Sequence, residues 1–163
     1  MEVSNKGLNL IKKNEGFRNH VYKDVAGIPT IGYGNTYYIN EDGSITKVTM
    51  NDSPITLKEG EELLKHIVKG YEDGVNRMVT SKINQNQFDA LVSFVYNVGI
   101  SAFENSTLLK RINNNPLDED IKYQFSRWNK SKGKVLKGLT KRRNEETYLY
   151  FKPVEESERK ENK

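Results

Sequence analysis

Three polar residues in the first thirty could together carry acid–base chemistry: Glu15, Asp24 and Thr30. Glu15 ends an apolar-periodic stretch and is followed at once by Gly16, which reads as the last turn of a helix. The negative end of a helix dipole disfavours a second negative charge, and a carboxyl kept protonated is what a general acid offers. Asp24 and Thr30 lie at equal separations from Gly27. A hairpin turning about Gly27 would set them opposite each other on one face. There a carboxylate and a hydroxyl could hold one water between them. Gly32 and Gly34 would continue the face of Thr30 without side chains, leaving an open floor for a ligand. Singly, each has an ordinary use: a solvated Glu, a turn Asp, a strand Thr.

The elements that must position these residues follow from periodicity. Residues 2–14 place Val3, Leu8, Leu10 and Ile11 on one helical face. Residues 21–39 are β-branched and aromatic, punctuated by Gly27, Gly32 and Gly34, and predict a hairpin or small sheet. A second hairpin is expected to turn at 39–43. From Thr56 the period changes to helical. Thr56 and Glu59 form a capping box, and Leu63, Leu64, Ile67, Val68, Tyr71, Val75 and Met78 continue one long helix over 57–79.

The remainder reads as helices. Asn84 and Gln87 can cap the segment closed by Gly99, Asn105 or Ser106 can open the next, and residues 113–116 break it. Another helix is expected over 118–128, and Gly133 and Gly138 bound a loop before the last one. Strands followed by helices indicate an α+β fold. The expected organisation is one domain over 1–151: a small antiparallel sheet lobe (about 15–56), a connecting helix (57–79) and a helical lobe (80–151). A cleft between the lobes is the natural ligand site. Residues 152–163 are charged and predict a flexible tail.

At 163 residues without a cysteine, the chain can fold on its own core and excludes disulfide and thiol chemistry. His20 and His66 suggest no metal cluster, and no cofactor is implied. No stretch has the length and apolarity of a signal peptide or a membrane span, so a soluble protein without membrane insertion is expected. The net charge of +4 favours a polyanionic partner. Because the lysines are spread and no basic recognition helix appears, nucleic acid is not the expected one.

The stretch NEGFRNHVYKDVAGIPTIGYGNT resembles the active-site segment of the phage-type lysozymes (endolysins, N-acetylmuramidases). That family carries a Glu at a helix end, an Asp nine residues on and a Thr six beyond, matched here by Glu15, Asp24 and Thr30. The segments ITLKEGEELL, NQNQFDALVSFVYNVGISAFENSTLLKRIN, FSRWN and GLTKRRNEE are similar to later family motifs, so the likeness covers about residues 7–150.

The resemblance implies a lysozyme-like fold and hydrolysis of the β-1,4 bond between N-acetylmuramic acid and N-acetylglucosamine in bacterial peptidoglycan. Glu15 would act as the acid and Asp24 with Thr30 would handle water, with inversion expected because a hydroxyl beside the carboxylate suits water positioning. Tyr96 and Asn97 match family positions that bind substrate, although Tyr96 can equally be core. Ser106 matches another, although an N-cap explains it as well. Arg142 or Arg143 could support Glu15, and Trp128 suits packing better than a sugar platform. The segment 37–54 is longer than a minimal member needs, and its role is open. A monomer stored in the host bacterial cytoplasm, released to the wall by a holin, is the expectation. The competing readings are a lytic transglycosylase and a non-catalytic wall-binding module.

Overall fold

The computed structural model describes residues 1–156. Its first helix, α1 (Asn5–Glu15), stops where Gly16 takes a left-handed φ of +71°, a conformation that glycine adopts without steric cost. Two hairpins follow: β1 (Arg18–Lys23) with β2 (Pro29–Gly32), and β3 (Tyr37–Ile39) with β4 (Ile45–Lys47). Helix α2 (Leu57–Met78) is opened by the expected capping box. The Glu59 amide donates to Thr56 Oγ1, and the Thr56 amide donates to Glu59 Oε1, both at 3.1 Å.

Next come α3 (Gln85–Val98), α4 (Ile100–Glu104), α5 (Thr107–Asn114) and α6 (Asp120–Ser126). A short hairpin, β5 (Lys130–Ser131) with β6 (Lys134–Val135), precedes α7 (Lys137–Phe151). The strands therefore form three separate two-stranded antiparallel sheets.

The chain divides into two compact units, residues 10–70 and residues 1–9 with 71 onward. In the first, Ile11, Ile31, Tyr33, Val48, Leu64, Ile67 and Val68 are buried. The rings of Phe17 and Tyr33 meet at 5.4 Å, and α2 passes so close to Phe17 that a Cβ on Gly60 would overlap the ring. In the second, α3 is buried along an unbroken run from Asn86 to Val95, the sign of a helix packed on all sides. Phe94 is the hub of an aromatic cluster, with Phe125 at 5.5 Å, Trp128 at 5.7 Å and Phe103 at 6.0 Å. Trp128 thus serves packing, as expected.

Three differences from the sequence reading stand out. Gly138 lies inside α7 rather than bounding a loop, and the turn between β5 and β6 is made by Lys132 (φ +50°) and Gly133 (φ +78°). Two successive positive φ values are the twist-compatible hairpin geometry, but a lysine in the first position does not advertise it. Second, the presumed tail begins docked: Val154 is buried and the Lys152 carbonyl accepts from Asn86 Nδ2 at 2.9 Å. The rest of that stretch, 157–163, lies outside the described residues. Third, the first hairpin has a different register, and this bears on the site.

Candidate active site

Glu15, Asp24 and Thr30 all fall in the unit of residues 10–70. Glu15 is the last residue of α1 and half-buried. The residues facing it come from a tight turn after β2. Ile31 and Asn35 exchange backbone hydrogen bonds at 2.8 and 2.9 Å, and Gly32 and Gly34 take left-handed φ values of +65° and +75°. A Cβ on Gly34 would stand 2.8 Å from Glu15 Oε2. The bare backbone at Gly34 thus makes room for the carboxylate, rather than providing open floor.

The hairpin turns about Ala26, not Gly27. Tyr22 pairs with Thr30 and Lys23 with Pro29, and the Asp24 amide donates to the Ile28 carbonyl at 3.0 Å. Gly27, at φ +79°, occupies the left-handed position that follows the turn, its amide bonded to the Asp24 carbonyl at 2.9 Å. Asp24 and Thr30 are therefore diagonal rather than opposite, yet still on the same face because side chains alternate with period two. Between Arg18, which pairs with Gly32, and Tyr22 the register slips by a bulge.

The polar atoms have definite assignments. Asp24 Oδ1 accepts from the amides of Ala26 (2.8 Å) and Ile28 (2.9 Å), which locks the turn and the carboxylate together. Its Oδ2 accepts nothing among the described residues. Thr30 is 3% exposed, and its Oγ1 donates its only proton to the Ile28 carbonyl at 2.8 Å. What Thr30 and Asp24 have left to offer is lone pairs, and these suit a bound water with two hydrogens to give.

Tyr22, which sequence reasoning passed over, belongs to this constellation. It is the cross-strand partner of Thr30 and two residues from Asp24 on the same face. The Arg18 guanidinium lies 4.3 Å from the centroid of its ring. Burial pushes the Tyr22 phenol above its ordinary range; Arg18 opposes this, and the charges of Glu15 and Asp24 add to it. Correct placement of the turn centre would have revealed the pairing.

Tyr96, Asn97 and Ser106 fall in the other unit. The Tyr96 ring meets that of Tyr71 at 5.1 Å. Asn97 is exposed, its Oδ1 accepting from Arg143 Nη2 at 2.8 Å. Ser106 is the N-cap of α5: its Oγ accepts from the Leu109 amide at 3.0 Å and donates to the Phe103 carbonyl at 2.7 Å.

Arg142 and Arg143 both bind the buried Glu146, which also accepts from Ser93 Oγ at 2.7 Å. Burial pushes the Glu146 carboxyl up, while Arg143 and then Arg142 pull it down. Removing one partner from such a cluster leaves an uncompensated buried charge, at a cost of about 3–5 kcal/mol. Among the described residues no group of three or more His, Cys, Asp or Glu could hold a metal ion, and no helix is long and apolar enough to cross a membrane.

The phage lysozyme family profile matches residues 12–146, a span that contains all three residues of the trio. The chain belongs to the phage lysozyme family. An endolysin of Bacillus phage PZA is 43% identical over 152 residues, covering 92% of this chain and 55% of that protein. The chain thus spans about half the length of the first curated relatives it matches. Among solved structures, an endolysin from Escherichia coli O157:H7 phage FAHEc1 superposes with a TM-score of 0.81 at 40% identity, covering 94% of this chain and 96% of that one. A mutant P22 lysozyme gives 0.78 at 36% identity, covering 93% and 99%. The fold of this family member is accordingly α+β and lysozyme-like.

Proposed function

We propose that the chain is an endolysin-type muramidase hydrolysing the β-1,4 bond between N-acetylmuramic acid and N-acetylglucosamine in bacterial peptidoglycan. The observation that carries this reading is that Asp24 and Thr30, each with lone pairs left to accept, share one hairpin face in the same compact unit as Glu15. A water donating one hydrogen to each acceptor keeps an oxygen lone pair for attack. Glu15 protonates the departing glycosidic oxygen, and Asp24 takes the proton of the attacking water. A water entering from the face opposite the leaving group inverts the anomeric centre.

A lytic transglycosylase forms an anhydro sugar without water, so it has no use for this acceptor pair. Tyr96 and Asn97 are proposed as sugar-binding residues. The hydroxyl of Ser106 is occupied by its helix cap. On this reading the chain is a monomer that waits in the host cytoplasm and reaches the wall once a holin opens the membrane. The endolysin names of its relatives support action on the cell wall.

The deciding experiment is clearing of purified peptidoglycan by wild type and Glu15→Gln, with new reducing ends counted and their anomeric form read. Wild type should clear and release α-anomers, and the substitution should cost at least ~10²-fold. Equal clearing by both would remove Glu15 from the chemistry. Anhydro ends would favour the transglycosylase, and retained β product would make Asp24 a nucleophile. Wall binding without clearing by either protein would leave a binding module.

A further inference from the structure

Tyr22 is placed by three independent features. Its register partner is Thr30, and it shares a face with Asp24, two residues on. Its ring is clamped by the Arg18 guanidinium at 4.3 Å. Its hydroxyl, on a half-buried side chain, has no hydrogen-bond partner among the described residues. A phenol whose ring is held by Arg18 and whose hydroxyl makes no bond within the described residues has its proton available to a ligand. It also lies close enough to both Glu15 and Asp24 to feel their charges.

We propose that Tyr22 is a substrate-contacting residue whose hydroxyl donates a hydrogen bond to an oxygen of the sugar held between Glu15 and Asp24. This rests on the muramidase reading of the site. The ligand class follows from the surroundings: a neutral polyhydroxyl ring tolerates two flanking carboxylates, and the phenol adds a donor to a face otherwise made of acceptors. With Asp24 Oδ2 and Thr30 Oγ1 engaged by water, Tyr22 is the group on that hairpin face left to orient the sugar itself. The phenol stays protonated across neutral and mildly alkaline pH because its titration is displaced upward, so it donates throughout the working range.

The test is Tyr22→Phe, which keeps the ring and the Arg18 contact and removes only the hydroxyl. On peptidoglycan the variant should lose about tenfold in kcat/KM. Its melting temperature should match wild type, and the shape of its pH–rate profile should be unchanged. Wild-type kcat/KM would overturn the proposal. A loss accompanied by a shifted alkaline limb would also overturn it, because the phenol would then act through Glu15 and not on the sugar. Should Tyr22→Phe melt early, affinity for stem-free glycan fragments is compared in Glu15→Gln and Glu15→Gln/Tyr22→Phe below both melting temperatures. Weaker binding by the double variant supports the contact, and equal binding ends it. If wild type itself fails to clear the wall, the muramidase reading falls, whereas activity in wild type with an indifferent Tyr22→Phe removes this inference alone.

Discussion

Gly34 shows how much the placing of Glu15, the proposed acid, depends on a neighbour that has no side chain. Its φ of +75° and the 2.8 Å separation of a would-be Cβ from Glu15 Oε2 make two separate demands for glycine. Gly34→Ala should lose about 1 kcal/mol from the left-handed backbone. By displacing the acid it should also lose on the order of 10²-fold in clearing rate. The comparison to make is clearing rate per folded molecule against melting temperature. A stability loss with unchanged clearing would show that Glu15 has room to spare. The placements of Glu15 at a helix end and of Asp24 and Thr30 in one hairpin were legible from the sequence. Each has an ordinary use singly, however, and it was the family resemblance that joined them into one candidate site. Gly34 and Tyr22 were not legible. The role of Gly34 is a through-space fit that no spacing encodes, and Tyr22 was hidden by placing the turn at Gly27 when that glycine follows it.

At the scale of elements, caps were the most legible feature because they are local bargains between a side chain and the next turn. The Thr56–Glu59 and Asn84–Gln87 boxes both form as read. Ser106 was open to two readings, and its geometry favours the cap. Ser106→Ala should cost about 1 kcal/mol by leaving the Leu109 amide without its acceptor. Clearing rate per folded molecule should not change, as thermal unfolding and a clearing assay well below the transition would show. A fall in clearing below the transition would return the hydroxyl to sugar binding. The β5–β6 hairpin was illegible for the opposite reason: its turn forces Lys132 into the left-handed region, against the residue's own preference. In the segment 37–54, Asp52 joins Thr49 and Tyr38. Its hydrogen bonds to the Thr49 hydroxyl and amide, then to Tyr38, hold the carboxyl below its ordinary value. Burial with the Asp52 bond lifts the Tyr38 phenol to about 12.

For the whole molecule, the net charge of +4 is the property that a wall substrate would meet first. An anionic wall should draw the protein in over roughly a Debye length, about 10 Å at 0.1 M salt. Clearing should therefore slow as salt rises from low to high concentration, and a flat salt dependence would remove charge steering from the account. The overall α+β order was legible because the hydrophobic period changes sharply near Thr56. The charged core was not: Arg142, Arg143 and Glu146 have the composition of a solvated helix face, yet all three are buried.

One long-range contact also gives the molecule a timetable. The amide and hydroxyl of Ser4, just ahead of α1, both donate to the carboxylate of Asp89 in α3, 85 residues along the chain. At 11 residues α1 is too short to persist alone in water. A ribosome adding about 5–20 residues per second needs roughly 4–17 s to travel from Ser4 to Asp89. For that interval the start of α1 lacks this contact. The N-terminal end of α1 therefore docks only after Asp89 has been made.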